Sequence, residues 1–282
     1  MKILVTGATG FIGQHVISNL LADGLHVIAT SRNEEKAKKF DWYNEVEYFQ
    51  CDYHRQLLDY YNYFGRPDAL IHLAWNGLPK YNDSFHVEEN LPANCKFLKN
   101  FVDNKIKKLV VAGTCYEYGM KNGPLSEDCC TLPVTQYGLA KDSLRKYLEL
   151  ILRDSTTSFN WTRLFFLYGK GQNPSSLMPQ LEQAIAKGAE VFNMSGGEQL
   201  RDYLPVEIVA EYICRITVQL NMEGIVNCCS GEPISIRRLV ETYLSEHGSN
   251  ISLNLGYYPY PDYEPMAFWG NPTKLKKIIG DI

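Results

Sequence analysis

Gly7-Ala8-Thr9-Gly10-Phe11-Ile12-Gly13 follows the apolar run Ile3-Leu4-Val5 and opens a helical pattern, and its reading decides the fold. Glycines permit the tight turn and let the backbone approach a bulky anion. A helix beginning at once supplies unpaired N–H groups and a partial positive charge, the combination that receives a pyrophosphate. Residues 11–23 place Ile12, Val16, Ile17, Leu20 and Leu21 on one helical face, with Gly24 as the C-terminal cap. Strand, glycine turn and helix in this order are the context that a dinucleotide loop requires.

Outward from this unit, continuously apolar runs at 3–5, 27–30, 46–49, 69–74 and 109–112 read as strands buried on both faces. A long helical segment spans about 85–104. The alternation implies right-handed crossovers and an α/β fold with a doubly wound parallel sheet. Further on, 159–166 and 225–229 read as strands and 177–187, 205–220 and 235–246 as helices. The Tyr- and Pro-rich stretch 256–264 reads as an ordered loop.

The 282 residues suit one large domain or two closely joined ones, and 45% hydrophobic with 21% charged residues is ordinary globular usage. A net charge of −4 leaves no basic footprint for nucleic acid or an anionic membrane. No apolar run approaches the ~20 residues of a membrane span. Lys2 is followed by a strand instead of a signal-peptide core, so the expected location is cytoplasmic. The eight cysteines (51, 95, 115, 129, 130, 214, 228 and 229) include two adjacent pairs but no Cys-x-x-Cys. Reduced thiols and no metal site are therefore expected. His72, inside an apolar run, reads as a satisfied core residue.

At the end of the second strand, a dinucleotide fold commonly presents a carboxylate to the adenosine ribose. This chain has Thr30-Ser31-Arg32-Asn33 there. A guanidinium pairs with a 2′-phosphate that a carboxylate would repel, so the expected cofactor is NADP(H), held through Ser31 and Arg32. Asp52, after the third strand, is placed to meet the adenine ring.

Tyr137-Gly138-Leu139-Ala140-Lys141 puts a phenol and an ammonium four residues apart on one helix face, with Pro133 in the first turn of that helix. A free tyrosine titrates near ~10. The lysine cation, together with a positive nicotinamide, is expected to favour the phenolate. Such a tyrosine exchanges a proton with a sugar oxygen while hydride moves at the attached carbon.

With these residues and the run Ala112-Gly113-Thr114-Cys115-Tyr116-Glu117-Tyr118-Gly119, the chain resembles the extended short-chain dehydrogenase/reductases. More narrowly it is similar to their nucleotide-sugar epimerase/dehydratase/reductase branch, over nearly its whole length. Arg201-Asp202-Tyr203 and the Lys274-containing segment match in order. The resemblance implies a Rossmann cofactor domain, 1–168 with 204–230 returning to it, and a smaller mixed substrate-binding domain of 169–203 and 231–282. It implies Thr114, Tyr137 and Lys141 as the catalytic set. Cofactor contacts would come from Gly7, Thr9, Gly10, Phe11, Ile12, Gly13, Leu73, Ala74 and Asn90, the last bracing the sheet near the site. Trp75, Tyr116, Phe166 and Arg201 would meet a nucleotide-diphosphate sugar, Arg201 at its diphosphate. It also implies a homodimer built on helices 85–104 and 134–153.

Departures from the family's patterns narrow the chemistry. Dehydratases of this branch carry Asp-Glu after the threonine, where this chain has Cys115 and Tyr116. Relatives similar to GDP-fucose synthase use a cysteine two places after the Ser/Thr and a distant histidine. Cys115 is one place too early, 169–172 offers no histidine, and Cys115 reads as a buried inert thiol. A 4-ketoreductase or a 4-epimerase remains. An arginine at the ribose position suits a cofactor supplied reduced and consumed, and Phe166, in place of an asparagine, suits a 6-deoxy sugar. The preferred reading is a 4-ketoreductase of nucleotide 4-keto-6-deoxy sugars. A 4-epimerase is the runner-up, and a non-catalytic cofactor-binding scaffold is opposed by the intact Thr114, Tyr137 and Lys141. No arginine follows Arg238, where the family often has a second diphosphate contact.

Overall fold

The computed structural model describes residues 1–55 and 59–280, so the expected 231–282 segment is covered up to residue 280. The first half runs β1 (Lys2–Thr6), α1 (Phe11–Ala22), β2 (His26–Ser31), α2 (Glu34–Ala37), β3 (Glu47–Gln50), α3 (Tyr60–Tyr63) and β4 (Ala69–His72). It continues with α4 (Leu91–Asp103), β5 (Lys108–Thr114), α5 (Gln136–Ile151) and β6 (Ser158–Leu164). Then come α6 (Leu177–Ala186), α7 (Val206–Val218), β7 (Gly224–Cys228), α8 (Ile236–Glu246) and α9 (Thr273–Ile279). The seven strands pair in parallel in the order β3-β2-β1-β4-β5-β6-β7, a Rossmann sheet.

Alternate side chains of each inner strand enter opposite layers, which is why these strands read as unbroken apolar runs. Ile3, Val5 and Ile71 pack with Val16 and Ile17 of α1 and Val209 and Ile213 of α7. Leu4, Leu70 and Leu109 pack with Phe97 and Phe101 of α4 and Leu144 and Leu148 of α5. Beyond the sheet, Met178, Leu181, Val240 and Leu244 join α6 to α8. All eight cysteines are free thiols. Among the described residues, no helix is long and apolar enough to cross a membrane.

Three local expectations are corrected. The strand expected at 159–166 ends at Leu164; Phe166–Tyr168 leaves it to pair with Tyr203–Pro205. The helix expected at 85–104 opens with a π turn, His86–Asn90. Pro92 has no N–H to give the carbonyl four residues back, which favours the wider turn. Pro133 lies before α5 instead of in its first turn. Thr135 is the N-cap, its hydroxyl accepting from the Gly138 N–H at 3.1 Å.

Sheet order reverses between β1 and β4, and the crevice there is held by Thr6. Its hydroxyl contacts His72 Nδ1 at 2.9 Å and accepts from the Leu73 and Ala74 N–H groups at 3.2 and 3.3 Å. His72 is fully buried, and its Nε2 meets Asn94 Oδ1 at 2.6 Å, so it is the satisfied core histidine expected. Thr6→Val keeps the shape and strands these partners, so it is expected to cost about 1–3 kcal/mol. The check is a urea midpoint against wild type and Thr6→Ser; a loss in Thr6→Ser with none in Thr6→Val would assign the effect to the methyl group.

Candidate active site

The glycine turn borders two cavities. One, of about 420 Å³, runs from Gly7, Thr9 and Gly10 past Leu73 and Ala74 to Thr30, Ser31 and Arg32. The other, of about 470 Å³, begins at Phe11 and Ile12 and contains Thr114, Tyr116, Tyr137 and Phe166. Gly7 has φ +69°, and its N–H···O partner Gly10 closes the turn at 2.8 Å. A Cβ on Gly13 would lie 2.2 Å from the Gly7 carbonyl, so only glycine lets the helix start this close to the turn.

This first cavity fits a dinucleotide on two structural grounds. Gly10, the N-cap of α1, contributes no side-chain hydrogen bond, and no acidic residue occupies the first turn, leaving that helix end to an anion. The buried Thr30 hydroxyl, in the wall of the groove, has no hydrogen-bond partner among the described residues. Gly7, Thr9, Gly10, Phe11, Ile12 and Gly13 would hold the pyrophosphate end and Ser31 and Arg32 the ribose end.

Other positions differ from expectation. Asp52 does not face the groove; its carboxylate accepts from the His54 N–H at 3.2 Å, and Cys51 and Tyr53 line the wall instead. Asn90 is buried, with its amide on the Asn76 carbonyl at 3.0 Å, so it braces the loop after β4 and reaches no cavity wall. The strand-end bracing falls to Asn94 through His72. Trp75, expected at the substrate, lies in the groove wall, 5.9 Å from the Tyr137 ring and beneath the Lys141 ammonium at 4.0 Å. Lys36, in the first turn of α2, lines the groove beside Arg32 and was missed. Its signal was the Asn33 cap, which turns the chain back after β2.

Thr114, Tyr137 and Lys141 do converge. Thr114 ends β5, and Tyr137 and Lys141 lie on the buried face of α5. Burial pushes the Tyr137 phenol upward, Tyr81 adds to the rise, and a hydrogen bond from Thr114 opposes it. Burial also lowers Lys141 to about 7, partly offset by Glu117. Its ammonium donates to the Ala112 carbonyl at 2.8 Å. In the protein by itself burial therefore favours the neutral phenol; the expected pull toward the phenolate involves the positive nicotinamide as well as the lysine. Cys115 is buried and its thiol pushed up, as an inert thiol should be.

Sequence reading also passed over Glu117. Fully buried, it accepts from the Thr114 N–H at 2.9 Å, Trp161 Nε1 at 2.8 Å and Arg163 Nε at 2.7 Å. With the Thr114 hydroxyl accepting from Tyr116 N–H, it forms a capping box that fixes Thr114. Arg201 is likewise buried, bonded to Glu264 at 2.9 Å with its Nε unpartnered, and so is not presented at the cleft surface. Asp202 turns the other way, accepting from the Ser230 and Gly231 N–H groups, each at 2.8 Å. Among the described residues, no group of three His, Cys, Asp or Glu could hold a metal.

A Rossmann sheet, a glycine-loop groove and a Tyr–Lys pair beside a second cavity define a nicotinamide-nucleotide oxidoreductase class. The chain belongs to the NAD dependent epimerase/dehydratase family, whose model matches residues 3–229. It is 29% identical to a dTDP-6-deoxy-L-talose 4-dehydrogenase (NAD(+)) of Aggregatibacter actinomycetemcomitans, over 96% of this chain and 99% of that one. It is 28% identical to a dTDP-4-dehydro-6-deoxyglucose reductase of Escherichia coli, over 85% and 80%. A UDP-N-acetylglucosamine 4-epimerase from Methanobrevibacter ruminantium M1 shares the fold, with TM-score 0.88 at 24% identity over 99% and 92% of the two chains.

The lysine shift carries a sign that can be measured. Between about pH 7 and 10.5 the unfolded chain keeps the Lys141 proton that the folded chain releases, so this contribution to stability rises with pH across that window. Six thiols, four of them buried and two partly so, act oppositely at the alkaline end, since folding raises them. Lys141→Met isolates the lysine. The stability of wild type minus that of the variant is expected to rise by on the order of 1–2 kcal/mol from pH 7 to 9 in urea unfolding. A flat difference contradicts the depressed lysine.

Proposed function

We propose that the chain catalyses NADPH-dependent reduction of the C4 keto group of a nucleotide-diphospho-4-keto-6-deoxy sugar. The observation that carries this reading is the buried Tyr137 phenol sharing one cleft with Thr114, where burial pushes its pKa up and so favours the proton-bearing form. Reduction builds negative charge on the ketone oxygen, and the group required there is a proton donor. Tyr137 gives that proton, and the Thr114 hydroxyl shares a hydrogen bond with the same oxygen. The reduced nicotinamide supplies the hydride when bound. Lys141 would hold the nicotinamide ribose, and its charge would steady the phenolate left after proton transfer. Oxidation of a C4 hydroxyl and reduction of a C4 ketone are one reaction in opposite directions, so the talose dehydrogenase and the reductase both support the reading.

The preference for NADP(H) rests on Arg32 and Lys36, which line the groove where no carboxylate does. Arg32→Ala is expected to weaken NADPH roughly tenfold to hundredfold, about 1–3 kcal/mol, and leave NADH nearly unchanged. Titration with each cofactor checks this; equal losses would mean that Arg32 acts elsewhere.

We take 169–203 and 231–282 as the part that caps the sugar nucleotide, with the enzyme in the cytoplasm beside its soluble cofactor. We also take it as a homodimer through α4 and α5. Exposed Leu139 and Leu150 on α5 support an apolar contact there. A monomeric mass by light scattering at micromolar concentration would contradict the dimer.

The direct assay supplies NADPH with a dTDP-4-keto-6-deoxy sugar and expects stoichiometric NADPH oxidation and a 4-hydroxy product. Tyr137→Phe is expected to bind NADPH normally and lose about 10²–10⁴-fold in rate. Interconversion of two 4-hydroxy sugars without net NADPH oxidation would favour a 4-epimerase. Undiminished turnover by Tyr137→Phe would defeat the catalytic assignment.

A further inference from the structure

Among the described residues lining the catalytic cleft, Glu264 is the one charged side chain. The Tyr116 hydroxyl donates to its Oε1 at 2.5 Å, and Arg201 Nη2 donates to its Oε2 at 2.9 Å. Arg201 is fully buried, its guanidinium 5.5 Å from the Phe166 ring and 4.8 Å from Phe268. Its charge is thus spent on the carboxylate and does not itself line the cavity. The remaining wall near Tyr137 is aromatic and apolar, including Leu78, Tyr81 and Tyr203.

We propose that Glu264 is a specificity-determining residue that admits nucleotide sugars with an uncharged hexose and rejects those whose hexose carries a carboxylate. This rests on the reading that the cleft holds the hexose of a nucleotide sugar. A uronate there would bring a second carboxylate to an arginine already engaged by Glu264 and, among the described wall residues, find no free cation to pair with, and an unpaired charge removed from water is strongly disfavoured. A neutral hexose meets the same carboxylate as a hydrogen-bond acceptor for a hydroxyl. The diphosphate charge is common to both ligands and cancels in the comparison.

The test is calorimetric binding of dTDP-glucose, dTDP-glucuronic acid and the methyl ester of the latter to the full-length protein, with the UDP counterparts alongside. Wild type is expected to bind the neutral sugar at least tenfold more tightly than the uronate, with the ester, larger but uncharged, close to the neutral sugar. Glu264→Gln frees Arg201 as well as removing the negative charge, so the ratio should fall below threefold. Glu264→Asp, which keeps the charge, should preserve it. A wild-type ratio near one, an ester as weak as the acid, or a ratio unmoved in Glu264→Gln each overturns the proposal. If Glu264→Gln does not fold, a wild-type ratio near one or an ester as weak as the acid still overturns the proposal. Failure of both dTDP-glucose and UDP-glucose to bind is a distinct result, which removes the nucleotide-sugar reading itself.

Discussion

At the carboxyl ends of β1 and β4 the two strands part, and the N–H groups of Leu73 and Ala74 have no further strand to pair with. Both are taken by the Thr6 hydroxyl, which is backed by buried His72 and Asn94. Everything that forms the cofactor groove leans on this junction. A Cβ on Gly7 would stand 3.0 Å from the Ala74 N–H, so the glycine turn runs against the segment that Thr6 holds. Trp75 follows directly, and its indole supports both the Lys141 ammonium and the Tyr137 ring. A strand-end hydrogen bond thereby braces the segment against which Lys141 and Tyr137 pack.

A second buried anchor works from the other side. Glu117 ties the end of β5 to Trp161 and Arg163 of β6 and so fixes the Thr114 backbone. Tyr137 and Lys141 are buried as a result, and burial sets their chemistry. It lowers the lysine and raises the tyrosine, leaving a proton on the phenol and a cation whose charge is costly until an anionic or ribose partner arrives. A site built this way is poised to give a proton, and that links the packing of α5 to the direction of reaction we favour.

The parallel core was legible because its inner strands are buried on both faces and so leave unbroken apolar runs. Gly7–Gly13, Thr114, Tyr137 and Lys141 were legible because each does its work at a fixed local spacing. The rest depended on partners distant in sequence. Glu264 gains its meaning only from Arg201 and Tyr116, and Thr6 only from the ends of two strands. Short pairings such as Phe166–Tyr168 with Tyr203–Pro205 carry too few residues for a periodic signal. The burial of Tyr137 was hidden for a related reason, since the motif shows the nearby lysine but not the packing around the phenol.

The central claim is that hydride passes once, from a reduced cofactor to the sugar, with Tyr137 giving the proton. A turnover with NADPH deuterated at the transferring position of the nicotinamide C4, and a dTDP-4-keto-6-deoxy sugar as acceptor, tests it most directly. Mass spectrometry and proton NMR of the product should find one deuterium, bonded to the sugar C4, for each NADPH oxidised. A 4-hydroxy product without deuterium at that carbon would contradict the account.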